Sequence, residues 1–258
     1  MEMYDDDNTL HKSFDANFLT DYLLQAQSDE FIELKKVISE LFYKRNVPIS
    51  ILDIGIGNAQ IPRHLCGIEE IWDMIERYDG TDNVQNCIEI SKKVINELAV
   101  ADKVTSFFYD ASNLDKWNKQ YDLIITTWFT AGNFYPENFP FDTYRESGKI
   151  TDLSKNEKFE KIFSSAYNLV KPGGEVVFGA CYIDTDSTRK KQEDFYRKAG
   201  MTIITNEKDS FTTTKERFWS QRFTKEKIYS YLHFVAREKI VFTPLDTYKY
   251  AMQVRIKK

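Results

Sequence analysis

The sequence predicts a doubly wound α/β fold, in which a mostly parallel sheet of seven strands carries helices on both faces and an N-terminal helical cap. Short apolar runs alternate along the chain with segments whose apolar residues recur at helical spacing. Such regular alternation is typical of parallel sheets covered by helices. Glycine is scarce, with 10 in 258 residues against an average of about 7%. We therefore expect each glycine to stand where the backbone requires it.

Composition excludes several classes of protein. The 35 Lys and Arg against 40 Asp and Glu give a net charge of −5, which argues against a nucleic-acid partner. No apolar run approaches the roughly 18 residues of a membrane helix, and the acidic N-terminus is unlike a signal peptide. The three cysteines, Cys66, Cys87 and Cys181, fit neither a disulfide framework nor a zinc site. We expect a cytoplasmic protein with no membrane partner. Because the sequence has no cluster of carboxylates at the spacing of metal ligands, we also expect no metal.

The N-terminal part is predicted to be a helical cap. Residues 1–28 suggest a frayed acidic tail with a short helix around Asn17–Gln27. A second helix follows, because its apolar residues share one face: Phe31, Leu34, Ile38, Leu41 and Phe42. We expect residues 1–46 to form tail and cap, and residues 47–258 to form one domain with a lid-like insertion at about 134–151.

The remaining elements follow from apolar runs and from helix punctuation. The predicted strands are Ile49–Asp53, Tyr78–Asp82, Val104–Tyr109, Tyr121–Thr127, Glu175–Cys181, Met201–Thr205 and a last one near Tyr248–Ile256. The helices between them are a segment carrying Pro62, then Asn83–Leu98, Leu153–Val170, Ser187–Ala199 and Thr224–Val235. Lys171-Pro-Gly-Gly174 and Gly200 end two of these helices, because glycine readily adopts the left-handed cap and proline cannot continue a helix.

The strongest functional signal is Ile51-Leu-Asp-Ile-Gly-Ile-Gly-Asn-Ala59. A buried strand carries Asp53 near its end and turns through Gly55 and Gly57 into a helix. Glycines there let a ligand approach the backbone, while turn amides and the helix N-terminus face it. A short strand-to-helix turn without a ligand can show the same pair of glycines. The dinucleotide fingerprint G-x-G-x-x-G requires glycine at position 60, which is Gln60 here.

The D-x-G-x-G pattern resembles motif I of the class I S-adenosylmethionine-dependent methyltransferases. Four further segments resemble landmarks of that family and occur in its order: Tyr78–Asp82, Phe107–Ala111, Tyr121–Thr127 and Leu169–Glu175. The resemblance spans about residues 31–205. It implies S-adenosylmethionine as the cofactor and S-adenosylhomocysteine as its product.

The resemblance also assigns roles to residues. Asp53 would supply negative charge near the methionine end, Asp82 would accept hydrogen bonds from the ribose diol, and Asp110 would accept one from the adenine amine. The expected cofactor-binding set is Asp53, Gly55, Gly57, Asn58, Asp82, Asn83, Asp110, Ala111 and Thr127. Capping of the following helices is the alternative for Asp82 and Asp110. The third glycine common in this motif is Ala59 here.

The same resemblance places the acceptor side in the segment Thr126–Pro136, which continues from the landmark at Tyr121–Thr127. It lacks the Asn/Asp-Pro-Pro-aromatic tetrad of methyltransferases acting on amide or nucleobase nitrogens. Thr130-Ala-Gly-Asn-Phe134 resembles a stretch of the histidine Nα-methyltransferase family, which implies that Asn133 helps to hold the acceptor. The alternative for Asn133 is a turn residue after Gly132.

Aromatic residues crowd the same region, and Trp128 and Tyr135 are candidates to contact the acceptor, although core packing also explains many aromatics. Tyr22 in the cap is a candidate lid residue. No general base is identifiable, because His11, His64 and His233 have no partner at recognisable spacing. A hydroxyl acceptor needs a base more than a neutral amine does.

The sequence therefore predicts a methyltransferase that acts on a small molecule and slightly favours an amine nitrogen. A small-molecule O-methyltransferase is the nearest alternative. A nicotinamide-dependent oxidoreductase and a non-catalytic partner subunit are more distant ones. The catalytic residues and the oligomeric state stay undetermined at this stage.

Overall fold

A nine-stranded sheet forms the centre of the molecule, which a computed structural model describes over residues 19–144, 151–245 and 250–258. The predicted acidic tail and part of the insertion at 134–151 lie outside these ranges, and the division at residue 46 stays a prediction. Within them, no helix has both the length and the apolar character to cross a membrane.

Parallel pairing dominates the sheet. The strands are β1 (Ile49–Ile54), β2 (Ile75–Asp82), β3 (Val104–Phe108), β4 (Tyr121–Thr126), β5 (Val170–Ile183), β6 (Phe211–Thr213), β7 (Trp219–Phe223), β8 (Ile240–Leu245) and β9 (Ala251–Lys257). Their order is β3-β2-β1-β4-β5-β7-β6, and β9 pairs antiparallel with both β5 and β8. The chain order reverses between β1 and β4, and open α/β sheets bind their ligands at such a point.

Seven α-helices accompany the strands in the described residues and produce two buried apolar layers, one on each face of the sheet. They are α1 (Asp21–Arg45), α2 (Gln60–Cys66), α3 (Glu69–Asp73), α4 (Gln85–Glu97), α5 (Glu157–Leu169), α6 (Asp186–Lys198) and α7 (Lys225–Tyr231). The predicted doubly wound α/β class is thereby confirmed.

Of the seven predicted strands one was wrong, and three of the nine observed strands, β6, β7 and β8, were not predicted. Met201–Thr205 forms only one isolated bridge, Ile203 to Thr214, and the hairpin of β6 and β7 occupies this part of the sheet instead. The apolar run at 201–205 reflects burial of Met201 and Ile204 rather than strand pairing. β8 was missed, because Pro244 argues against a strand. β8 pairs only with β9 in the described residues, and an edge strand tolerates proline.

The two predicted N-terminal helices are one. α1 runs without interruption from Asp21 to Arg45, because no glycine or proline breaks the segment. Its C-terminal end is fixed to the turn that begins β5, where Lys44 donates to the Gly173 carbonyl and Arg45 donates to the Pro172 carbonyl. Arg45 also lies 3.0 Å from a carboxylate oxygen of Asp122 at the start of β4. The other half of α1 reaches the carboxyl ends of the strands.

Candidate active site

A cleft of about 1200 Å³, its open mouth included, lies at the carboxyl ends of β1, β2 and β4. The glycine turn after β1 forms its floor. Gly55 and Gly57 both have positive φ, of 86° and 53°, and the Gly55 and Ile56 amides donate to the Thr81 carbonyl of β2. A Cβ at Gly55 would lie 2.7 Å from Cγ2 of Thr130. Both backbone geometry and space therefore require glycine at position 55.

The turn continues through Ala59, which takes a positive φ of 57° at the position where the family commonly has glycine. Its side chain is fully buried, so the single methyl group is accommodated. α2 starts directly after it. Ala59 thus adopts the left-handed backbone conformation that glycine would adopt at this position.

Asp82 connects two loops at the cleft. Its carboxylate accepts hydrogen bonds from the Gly57 amide and the Val84 amide, both at 3.0 Å. Burial raises the pKa of Asp82 to about 6, although these amides act in the opposite direction. Since each carboxylate oxygen has two lone pairs, Asp82 keeps acceptor capacity toward a ligand. It does not directly cap α4, whose N-cap residue is Val84.

Asp110 caps a 3-10 turn. It is the N-cap residue of Ala111–Lys116, and its carboxylate accepts from the Ser112 amide at 2.8 Å. The capping alternative therefore describes Asp110, which nevertheless lines the cleft together with Ala111 and Tyr109.

Asp53 lies beneath the cleft and is not among its lining residues. It is buried in β1, where one oxygen accepts from the Tyr78 hydroxyl at 2.6 Å and the other, Oδ1, has no hydrogen-bond partner. Burial raises the pKa of Asp53 to about 7, and the negative charge of Asp82 raises it further. Any influence of Asp53 on a ligand is therefore electrostatic or indirect.

Glu30 of α1 is an acid of the cleft that the sequence analysis did not single out. The residue is 1% exposed, and it accepts a hydrogen bond of 2.9 Å from the Trp128 amide. A side chain at Gly179 of β5 would overlap the Glu30 carboxylate, so a glycine in the sheet makes room for it. Burial raises the pKa of Glu30 to about 8, with Asp53 acting in the same direction.

The loop after β4 is held in an unusual backbone conformation. Trp128 and Phe129 have φ values of 51° and 63°, and consecutive non-glycine residues in this region cost about 1–3 kcal/mol each. Glu30 fixes the Trp128 amide, and the Phe129 ring stacks on Tyr182 with 3.8 Å between centroids. Strain of this kind concentrates at functional sites.

Most of the predicted site residues lie together. The cleft is lined by eleven of them: Gly55, Gly57, Asn58, Asp82, Asn83, Asp110, Ala111, Thr127, Trp128, Asn133 and Tyr135. Tyr22 is not brought into the cleft. Its ring packs on Tyr250 with centroids 5.0 Å apart, and its hydroxyl donates to the Lys191 carbonyl.

The lining also contains residues that were not predicted, among them Gln27, Glu30, Phe31, Tyr109, Thr130, Phe134 and Lys158. No histidine contributes to it in the part of the chain that the structure describes; His64 stacks on Phe31 instead. Nor do those described residues contain a group of three His, Cys, Asp or Glu that could hold a metal ion. A signal for Glu30 was present, since Glu30, Leu34, Val37 and Leu41 share one helical face.

Comparison with solved structures identifies the fold. An S-adenosylmethionine-dependent methyltransferase from Clostridium acetobutylicum superposes with a TM-score of 0.54 at 13% identity, over 86% of this chain and 89% of that one. The chain has the Rossmann-like fold of the class I S-adenosylmethionine-dependent methyltransferases. No protein-family model and no curated protein matches the sequence.

Two further structures of this methyltransferase fold contain the cofactor product. Magnesium protoporphyrin IX methyltransferase from Synechocystis PCC 6803, with bound S-adenosylhomocysteine, has a TM-score of 0.54 at 12% identity and covers 98% of this chain and 93% of its own. The 1,6-didemethyltoxoflavin N1-methyltransferase of Burkholderia thailandensis, also with S-adenosylhomocysteine, has a TM-score of 0.51 at 10% identity, over 86% and 76%. The acceptors of these similar proteins differ widely.

Proposed function

We propose that this chain is an S-adenosylmethionine-dependent methyltransferase that acts on a small molecule and favours an amine nitrogen. The observation that carries the proposal is the distribution of acids around the cleft. Asp82 and Asp110 lie at the ends of β2 and β3, and Glu30 lies across the glycine turn, beside the Trp128 amide. S-adenosylmethionine has cationic groups, a ribose diol and an adenine amine at separate positions, and each of them binds a hydrogen-bond acceptor or a negative charge.

The residues present fit the cofactor. The buried Glu30 gives the cleft a carboxylate, and the orphaned Oδ1 of Asp53 lies beneath the cleft, an arrangement that suits a ligand with cationic groups. Asp82 would hold the ribose hydroxyls and Asp110 the adenine amine, between the flanking side chains of Val84 and Tyr109. Gly55 and Gly57 leave space for the methionine part beside the turn.

When bound, the cofactor supplies a methyl group made electrophilic by a sulfonium sulfur. Glu30 is the group in the cleft that can act as a base. The ionised carboxylate, whose share grows as the pH approaches the folded-state pKa of about 8, can accept a proton from an ammonium acceptor and so free the nitrogen lone pair. The loop from Thr127 to Tyr135 would position the acceptor, because positioning contributes much of the acceleration in such transfers.

A small acceptor in a cytoplasmic setting fits the remaining properties. The net charge of −5 and the acids of the cleft disfavour the phosphate backbone of a nucleic acid. A hydroxyl acceptor is the alternative, because Glu30 could also accept a hydroxyl proton. The expected roles of Trp128, Asn133 and Tyr135 are contacts to the acceptor.

Thermal unfolding with S-adenosylhomocysteine, and with NADH as a control, tests the cofactor. A ligand at 100 times its dissociation constant adds about 2.7 kcal/mol, which is a shift of roughly 5–10 °C for a chain of this size. We expect the shift with S-adenosylhomocysteine alone. A shift with NADH alone would favour an oxidoreductase, and no shift would favour a non-catalytic protein.

Methyl transfer from radiolabelled S-adenosylmethionine to pooled amines and pooled phenols then tests the acceptor class. Asp82→Ala should abolish labelling, while Asp115→Ala, which changes an exposed acid outside the cleft, should not. Labelling of phenols only would replace the amine proposal with O-methylation.

A further inference from the structure

A lysine of α5, Lys158, lines the cleft. It is the single positively charged side chain among the described residues of the lining, whereas Glu30, Asp82 and Asp110 contribute three acids. The Lys158 ammonium lies over the Tyr135 ring, 4.9 Å from the ring centroid. The cleft therefore offers one positive position, beside Tyr135, in addition to its acids.

The charge of Lys158 has no carboxylate partner. Within the part of the chain that the structure describes, its ammonium contacts the Tyr135 ring and forms neither an ion pair nor a hydrogen bond. The residue is only partly exposed, so its charge has lost some hydration without gaining a counter-charge. A lysine ammonium has three hydrogen-bond donors, and all of them are available to a ligand of the cleft.

The position of Lys158 in α5 does not account for a lysine. Lys158 is the second residue of the helix, and the first turn also contains Glu157 and Glu160, neither of which lines the cleft. Because of the helix dipole, a cation is unfavourable in the first turn and an anion is favourable. The dipole of α5 and the charge of Lys158 therefore both attract an anionic ligand to this end of the cleft.

We propose that the acceptor carries an anionic group, a carboxylate or a phosphate, which binds the Lys158 ammonium. The amine of the same molecule would be received by Glu30, which accepts from the Trp128 amide. Opposite charges at two places orient a small zwitterion, and they reject an uncharged analogue because the lysine would keep no partner. This inference rests on the proposed methyltransferase function and adds the chemical class of its acceptor.

Methyl transfer from radiolabelled S-adenosylmethionine to three pools of probes tests the acceptor class. The pools are α-amino acids, the matching amino-acid amides, and aminoalkyl phosphates. The amides keep the amine and the side chain of each amino acid and lack the negative charge. We expect labelling of one anionic pool, at a rate about tenfold or more above that of the amides, the usual range for a hydrogen bond to a charged group. The pool that is labelled distinguishes a carboxylate from a phosphate.

Variants of Lys158 separate recognition of the anion from a structural role. Lys158→Gln should raise KM for the anionic acceptor about tenfold or more and change kcat little, because the lysine binds a part of the acceptor that does not react. Lys158→Arg should restore most of the affinity, and Lys158→Glu should reverse the preference in favour of the amides. The matched control is Lys161→Gln, an exposed lysine of the same helix outside the cleft, which should change neither KM nor the preference.

Absence of labelling in both anionic pools, labelling of the amides at an equal rate, or an unchanged KM in Lys158→Gln would overturn the acceptor class. The cofactor is measured separately through the thermal shift with S-adenosylhomocysteine, which Lys158→Gln should leave unchanged. A smaller shift in that variant would assign the lysine to the cofactor and also overturn the inference. If S-adenosylhomocysteine binds and the anionic pools fail, the acceptor class alone is wrong. If S-adenosylhomocysteine does not bind, the methyltransferase proposal fails, and this inference fails with it.

Discussion

Replacing Glu30 with glutamine should stabilise the ligand-free protein at alkaline pH while removing its methyl-transfer activity. Glutamine keeps a carbonyl oxygen for the Trp128 amide, which donates to Glu30 at 2.9 Å, but it cannot ionise. The variant therefore isolates the free energy of the buried charge from that of the hydrogen bond.

The magnitude follows from the pKa of Glu30, which burial raises from an ordinary 4.5 to about 8. Between these values the unfolded chain has lost the proton and the folded protein still holds it. The contribution of Glu30 to the free energy of unfolding is thus fully present below pH 4.5. It falls by about 1.4 kcal/mol for each pH unit from there up to the folded-state pKa. From pH 6 to pH 8 the loss from Glu30 alone is on the order of 2–3 kcal/mol.

Urea unfolding at pH 6 and pH 8 measures this loss. The free energy of unfolding falls by about 3 kcal/mol per molar urea, at the upper end for small proteins. The loss from Glu30 should therefore lower the urea midpoint of the wild-type protein by nearly 1 M between pH 6 and pH 8. Asp53, whose pKa is raised to about 7, adds to the fall in both proteins. Glu30→Gln should lose the Glu30 share of the fall and be the more stable protein at pH 8.

The matched control is Glu33→Gln on the same helix, where Glu33 is partly exposed and pairs with Lys36. It should reproduce the wild-type dependence on pH. If Glu30→Gln showed the same fall as wild type, or were less stable at pH 8, Glu30 would not be a buried acid of raised pKa and its role as a base would lose its basis.

Two further predictions concern the cofactor, and one concerns the stability of the glycine turn. Asp82→Ala should weaken S-adenosylhomocysteine more than tenfold by calorimetry; unchanged affinity would exclude the ribose role. Gly55→Ala should lower the free energy of unfolding in urea by about 1–3 kcal/mol, because residue 55 has a positive φ and its Cβ would meet the Thr130 methyl group. Adding Thr130→Ser to this variant removes that methyl group and should restore only part of the lost stability. Full restoration would disprove the backbone strain. The affinity of S-adenosylmethionine should rise about tenfold between pH 6 and 8, because Glu30 and Asp53 must lose protons to attract a cation. A flat profile in titrations at several pH values would contradict the electrostatic account.

Much of the fold could be predicted because local signals agreed with the final packing. Apolar runs marked the central strands, and the paired glycines marked the turn at Gly55, where φ and space both require glycine. The apolar run at 201–205 predicted a strand that does not form, because its apolar residues are buried without pairing to a neighbouring strand beyond one isolated bridge. Tertiary packing overrode strand propensity there.

The candidate site could be predicted where its residues follow strands, as Asp82 and Asp110 do. The helical face that Glu30 shares with Leu34 and Val37 indicates that its side chain is buried, but it does not indicate a site, because only the path of α1 brings the carboxylate to the Trp128 amide. Tyr22 shows the converse: its place in the same segment suggested a lid, yet its ring packs on Tyr250.

The uninterrupted course of α1 has a mechanical consequence. Lys44 and Arg45 fasten one end to the amino ends of β4 and β5, and Glu30 lies about 22 Å away along the helix at 1.5 Å per residue. The other end of α1 is held as well, because Leu23 and Ala26 are buried and the Tyr22 hydroxyl donates to the Lys191 carbonyl. A tilt of only 5° over this length would carry the Glu30 carboxylate about 2 Å, enough to break its bond to the loop after β4. Contacts at both ends of α1 therefore keep the Glu30 carboxylate in position to accept from the Trp128 amide.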